Sequence, residues 1–388
     1  MRRAPALIVL LLCGAAAADA AAQDPVSSQD IEKLKRQIYQ ESRSHLELIF
    51  DAHGENGGPN DELGFWRYGG RLNLKSARPG SSFYLIALRT RYSSGEDLLA
   101  AWGTRLAGGY RGKLSDDREA RFEVGVTRFG GGATTVDGLA SWSMKPREPA
   151  RVSITASRTN VEESFLSTVG VRPVEGPFAA ERVGNVMENR LAVGGDYRLP
   201  HRLDVYAELS AGTRSGNNVD SNPFWRAGGG IGWSALARDE DQPLSLVRLG
   251  VSADSFGFGD DRLGYGGASL LDRLGRRVAL DRLGSDGIPP EPTEANRGVG
   301  GYFSPARFVS AVGRVDVKGR SGKRLEYRLS AFLGRQTYTG VDARRVAGVT
   351  GNLVLHLHDR LSVPLTALWD DYGPFRQQSL FARLVVRF

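Results

Sequence analysis

The chain ends Ser379-Leu380-Phe381-Ala382-Arg383-Leu384-Val385-Val386-Arg387-Phe388, and the alternation in this stretch decides the fold. Successive side chains of a strand point to opposite faces. Leu380, Ala382, Leu384, Val386 and Phe388 therefore share an apolar face, and Phe381, Arg383, Val385 and Arg387 share an arginine-bearing one. A soluble protein rarely finishes on a bare aromatic at the tip of such a strand. A strand that closes a barrel in the bacterial outer membrane commonly does, and Phe388 is then an assembly signal for the barrel-assembly machinery.

The other end agrees with an exported chain. Arg2 and Arg3 precede an apolar run from Ala4 to Leu12, followed by small residues from Gly14 to Ala22. That order predicts a secretory signal peptide over 1–22, cleaved after Ala22. The run is too short for a bilayer anchor, and no other stretch approaches the roughly 20 apolar residues of a helical span. Cys13, the only cysteine, lies inside this segment and follows Leu12, which is not the small residue a lipoprotein signal wants. The mature chain then has no disulfide, thiolate nucleophile or cysteine metal site.

From Asp30 to Ser42, Ile31, Leu34 and Ile38 recur at helical spacing, so a short periplasmic helix is expected within 23–43. From His45 onward the period is two. Sixteen strands are expected near 44–53, 65–75, 81–91, 101–112, 119–128, 134–144, 150–158, 188–198, 203–213, 224–235, 244–255, 307–317, 324–336, 346–357, 361–370 and 379–388. The fold class is thus all-β, a transmembrane antiparallel barrel over 44–388. A soluble β-sandwich could share the composition, but carboxylates on the inner face, such as Glu208 and Glu326, are costly in a dry core and cheap in a wet lumen.

The connections test this independently, because outer-membrane barrels alternate short periplasmic turns with longer outer loops. Ser76–Gly80, Lys113–Arg118, Lys145–Pro149, Leu199–Arg202, Leu236–Pro243, Gly319–Lys323 and His358–Arg360 are all short and all fall where periplasmic turns must. The two longest connections, 159–187 and 256–306, fall outside. The second is too long for a simple hairpin loop and is expected to fold inward as a constriction or outward as a lid.

Two segments carry a family resemblance. Gly298-Val299-Gly300-Gly301-Tyr302-Phe303-Ser304-Pro305, followed by Arg307-Phe308, resembles a signature of the C-terminal domain of the cellulose synthase operon protein C (BcsC) family. Glu163-Ser164-Phe165-Leu166-Ser167-Thr168-Val169-Gly170-Val171-Arg172-Pro173 is similar to a second segment of that family. Here Thr168 and Val169 stand where the family usually has Tyr and Ala, and the Asp before Pro173 is missing. The resemblance implies a sixteen-stranded outer-membrane pore that passes a nascent β-glucan, cellulose or a relative, and it marks Gly300 to Pro305 as a loop or gate motif. Family members usually carry tetratricopeptide repeats before the barrel; no 34-residue helical period appears here. A separate periplasmic scaffold protein would have to replace them, or the cargo differs.

Other chemistries are weakly supported. Only His53, with Asp51 and Glu55 near it, lies close to the outer rim; His45, His201, His356 and His358 map toward the periplasmic end, so no enzyme is expected. Phe129-Gly130-Gly131-Gly132 and Arg226-Ala227-Gly228-Gly229-Gly230 lack the Lys-Ser/Thr pair of a phosphate loop. The acidic residues of 256–306 are irregularly spaced, so neither a metal nor a cofactor is expected. The net charge of +7 could suggest nucleic acid, but a barrel in the outer membrane meets lipopolysaccharide phosphates first.

For a sugar polymer the requirement is a wet lining of polar groups and aromatic faces that binds weakly at many sites. Asp204, Tyr206, Glu208, Glu326, Arg328, Phe332, Phe381, Arg383 and Arg387 are the inward candidates by parity. Trp225, Tyr302 and Phe303 could instead sit at the rim, since Trp and Tyr form interfacial belts in membrane barrels. The expected function is an exit pore for an exopolysaccharide; the alternative is a general porin or small-solute channel, and a barrel enzyme or adhesin ranks below both.

Overall fold

The computed structural model describes residues 43–388 except 57–62, 79, 95–98, 147–148, 173–180, 241, 261–303, 340 and 372–375. The expected signal peptide and periplasmic helix therefore lie outside the described residues, as do Gly300 to Phe303.

Sixteen antiparallel strands close into one barrel, each paired with its sequence neighbours, and the last pairs with the first. They are β1 (His45–Asn56), β2 (Leu63–Lys75), β3 (Ser82–Ser94), β4 (Ala100–Ser115), β5 (Arg118–Phe129), β6 (Thr134–Met144), β7 (Ala150–Asn160) and β8 (Gly184–Leu199). The second half is β9 (Leu203–Asn217), β10 (Val219–Ala237), β11 (Leu246–Phe258), β12 (Phe308–Ser321), β13 (Leu325–Tyr338), β14 (Val341–His358), β15 (Leu361–Asp371) and β16 (Arg376–Arg387). Closure leaves no sheet edge, which a strand structure in lipid requires.

The terminal stretch is the closing strand. Leu384 pairs with Leu48 and Val386 with Leu46, while Arg383 pairs with Ile49 and Phe381 with Asp51. The Phe388 amide adds a hydrogen bond of 3.1 Å to the Ser44 carbonyl.

The two faces of the wall have opposite chemistry. Leu46, Leu48 and Phe50 of β1 are exposed, whereas Glu47 between them is 7% exposed and ion-paired with Arg383. The same split runs round the barrel, and outward Leu333 is 65% exposed. A continuous exposed apolar wall of this size is covered by lipid. Outward Phe83 and Trp233 mark the end with the short turns; Trp66, Trp225 and Trp369 mark the other, as interfacial girdles do.

The short connections are tight. In the three-residue link between β8 and β9, His201 (φ 61°) and Arg202 (φ 64°) are both left-handed and the Leu203 amide donates to the Pro200 carbonyl at 3.4 Å, a tight turn whose twist matches that of the strands. At the opposite end several strands outrun the expected bounds. β8 begins at Gly184, and β9 and β10 continue to a turn at Asn218 (φ 50°), where Asn tolerates the left-handed conformation.

Candidate functional site: a lumen crossed by an internal strap

All nine inward candidates lie on the lumen face. Glu208 pairs with Arg190 and Asp204 with Arg248 across the wall of β8 to β11. Glu326 faces Arg320 at 3.6 Å and His356 at 3.3 Å. Arg328 reaches Asp316 at 3.5 Å, and Asp316 also accepts the Ser330 hydroxyl at 2.8 Å. Arg383 contacts Glu47 at 3.2 Å and lies over the Phe381 ring at 4.4 Å. Arg387 donates to the Ser362 hydroxyl at 3.3 Å.

On β3 to β6, Glu123 accepts from Arg105 at 2.7 Å, Tyr84 at 2.8 Å and Arg121 at 2.9 Å, and Arg105 also pairs with Asp137. Acidic and basic groups are thus interleaved round the lumen rather than separated on facing walls.

Two inward aromatics are laid out by glycine. Tyr206 stands directly opposite Gly230, and Phe332 directly opposite Gly348. A Cβ on Gly230 would come within 2.8 Å of the Tyr206 ring, and one on Gly348 would meet the Phe332 ring. The glycines therefore let each ring lie against the wall. This is a physical reason for the glycine run in β10, and Tyr206 remains 42% exposed.

Toward the outer mouth the lining becomes aromatic on two sides. On β1 to β5, His53 stacks on Phe65 (4.9 Å), Phe65 meets Tyr92 (6.0 Å), and Tyr92 meets Phe129 (5.9 Å). On β10 to β12, Phe224 meets Phe258 (5.5 Å), Phe258 meets Phe256 (6.2 Å), and Phe256 stacks on Phe308 (4.4 Å). β3 and β11 are eight strands apart in a ring of sixteen, so these walls face each other across the lumen.

A strap from the connection after β7 bridges them. Ser164 and Ser167 form a capping box that starts a single buried helical turn, α1 (Phe165–Thr168). Phe165 and Val169 pack with Leu63, Tyr92 and Phe129, while Val161 packs with Val186, Val219 and Phe258 of the opposite cluster. Glu162 accepts from Arg67 at 2.8 Å and from the Tyr92 hydroxyl at 3.1 Å. Glu163 accepts from Arg214 at 2.7 Å, and Arg214 also holds Glu188 at 2.8 Å. Beside the strap, Arg67, Tyr92, Arg105, Asn160 and Glu162 line a lumen cavity of about 250 Å³.

Sequence reasoning did not identify this strap. The segment lies within 159–187, which reads as an outer connection, and the expected loop or gate motif is Gly300 to Pro305. Of that motif, Ser304 and Pro305 are described and fully buried, and the Pro305 carbonyl accepts the Phe258 amide at 3.0 Å. The Ser164-x-x-Ser167 cap marks the helical turn in the sequence, but nothing local marks its attachment to the walls.

His53 donates to or accepts from the Ser379 hydroxyl at 2.8 Å, and the two are cross-strand partners at the β1–β16 seam. Among the described residues no group of histidines, cysteines or carboxylates has the arrangement of a metal site. Trp225 is outward and half-exposed, in the girdle rather than the lumen.

A closed sixteen-stranded barrel with an apolar outer wall and a charged interior is an outer-membrane pore. Residues 75–266 match the model of the family described as cellulose synthase operon protein C C-terminus, so the likeness to that family is established over this stretch. The Glu163–Pro173 segment lies inside the match, and the Gly298–Phe308 segment lies beyond it. No curated protein matches the chain. Among solved structures, one described as a bacterial polysaccharide outer membrane secretin has a TM-score of 0.61 at 11% identity, covering 90% of this chain and 99% of that one. CdiB from Acinetobacter baumannii (TM-score 0.42, 9% identity, 88% of this chain and 60% of that one) is more distant. So is the CymD monoaromatic hydrocarbon channel (TM-score 0.41, 9% identity, 95% of each chain).

Proposed function

We propose that this protein is the outer-membrane exit pore for an exopolysaccharide, a β-glucan of the cellulose type, made by a synthase elsewhere in the envelope. The observation that carries this reading is the aromatic lining: Tyr206 and Phe332 seated over glycines, leading to two facing aromatic walls. Pyranose rings present axial C–H groups that stack on such faces, while interleaved charges exchange hydrogen bonds with hydroxyls without holding a neutral polymer tightly. A predominantly basic lining would suit an acidic polymer better. The family match and the polysaccharide-related fold neighbour support the same reading.

In this account the strap is the outer gate, held by Arg67 on one wall and Arg214 on the other. Export begins with a cleaved signal peptide, and Phe388 is read by the barrel-assembly machinery.

The test is electrical. Purified protein in a planar bilayer, with the strap loosened by Glu162→Gln and Glu163→Gln, should show transient current blockades when cello-oligosaccharides are added on the short-turn side. Tyr206→Ala and Phe332→Ala should shorten those blockades. Free ion flow with no oligosaccharide blockade would instead indicate a small-solute diffusion channel.

A further inference from the structure

The outward face of β2 to β9 carries arginine but no described carboxylate. Thr104 of β4 stands directly between Arg89 of β3 and Arg128 of β5 in the register, all three pointing outward. Two strand spacings put the arginine Cα atoms about 10 Å apart, close enough for both guanidinium groups to reach over Thr104. Arg91 lies one outward position further along β3, opposite Trp66 and Trp102. Arg89 stacks over Trp102 at 4.7 Å.

The contrast with the lumen is sharp. Inward Arg67, Arg105, Arg121, Arg214, Arg248 and Arg383 all have carboxylate partners. Arg89 and Arg128 are exposed and form no ion pair among the described residues.

Their level in the wall fixes the surroundings. Arg89 is six residues along β3 from the girdle residue Phe83. At the rise and tilt of a membrane strand that is about 15 Å, with Arg91 about 20 Å along an apolar band about 25 Å tall. Arg91 pairs with the outer-girdle residue Trp66, and Arg89 and Arg128 stand one outward position below that level, so their long side chains snorkel toward the headgroups and need a counter-ion from the lipid.

Next to them the wall is recessed. Small Gly138, Ala140 and Ala156 lie between bulky Phe122 and Leu191, forming an open apolar groove of about 740 Å³. Arg158 stands at its edge, donating to the Val136 carbonyl at 3.2 Å and the Asn189 side chain at 2.8 Å.

We propose that this wall is a binding site for a phosphorylated outer-leaflet glycolipid. Arg89 and Arg128 clasp one phosphate over the Thr104 hydroxyl, Arg91 adds charge beside Trp102, and an acyl chain lies in the groove between Phe122 and Leu191. Bidentate guanidinium contacts suit a phosphate, and the groove suits an acyl chain; both parts belong to one amphiphile.

The test uses the full chain in zwitterionic detergent, with diphosphoryl lipid A as the probe and bound lipid counted by native mass spectrometry. Wild type should retain diphosphoryl lipid A at least about tenfold more tightly than fully dephosphorylated lipid A, as expected for several arginines each meeting an anionic headgroup. Arg89→Gln with Arg128→Gln should remove most of that difference while leaving heat-modifiable gel migration, a readout of the folded barrel, unchanged. Equal affinity of wild type for the two lipids overturns the proposal without any variant. Displacement of lipid A by millimolar inorganic phosphate alone would also overturn it, since that describes a free-ion site.

Discussion

Arg67 of β2 and Glu162 of the strap meet at 2.8 Å, and the Tyr92 hydroxyl shares the same carboxylate oxygen at 3.1 Å. With the Arg214–Glu163 contact of 2.7 Å, this pair ties a segment between β7 and β8 to walls on both sides of the lumen. Both contacts are partly solvated, so each contributes about 1 kcal/mol rather than the value of a dry ion pair. Glu162→Gln combined with Glu163→Gln should raise the open-to-closed ratio by roughly thirtyfold. Single-channel recording checks this, and the barrel's thermal transition should hardly move.

The Phe256–Phe308 stack at 4.4 Å is the tightest step of one aromatic wall. Phe256→Ala with Phe308→Ala should lower polymer release several-fold while ion conductance stays equal or rises. Secreted polymer and conductance measured on the same variant separate a contact role from a blocked pore.

Glu123 accepts from Arg105, Tyr84 and Arg121 together. Glu123→Gln leaves two guanidinium groups with a weaker acceptor and should cost about 1–3 kcal/mol of barrel stability. The urea midpoint for refolding into detergent should fall, and the reversal potential should move toward anion selectivity.

Most of the fold is legible in the sequence because lipid enforces it. Where a strand crosses the apolar band, every second residue must be apolar, so Leu325 to Leu333 and Leu203 to Ala211 alternate cleanly and their inward partners follow. Beyond the band nothing enforces that rule, and the outer ends of β8, β9, β10 and β14 read as loop; Val341-Asp342-Ala343-Arg344-Arg345 is one such end. The strap was hidden for a different reason. Its anchors are separated by 95 residues for Arg67–Glu162 and 51 for Glu163–Arg214, and side-chain contacts at such separations leave no periodic trace. The aromatic wall was hidden likewise, since Phe256 and Phe258 come from a glycine-interrupted stretch that ends β11.

Phe388 is 61% exposed, and its backbone amide donates to the carbonyl of Ser44, the residue just before β1. Removing it should therefore leave the stability of an already folded barrel almost unchanged while reducing assembled barrel in cells. Heat-modifiable migration of outer-membrane fractions, set against refolding in vitro, distinguishes the two effects.

The export function is tested most directly by deleting the gene in its native host and assaying polymer at the cell surface and synthase activity in isolated membranes. Surface exopolysaccharide should disappear while synthase activity persists, with recovery on re-expression of the intact chain. Unchanged surface polymer in the deletion strain would contradict it.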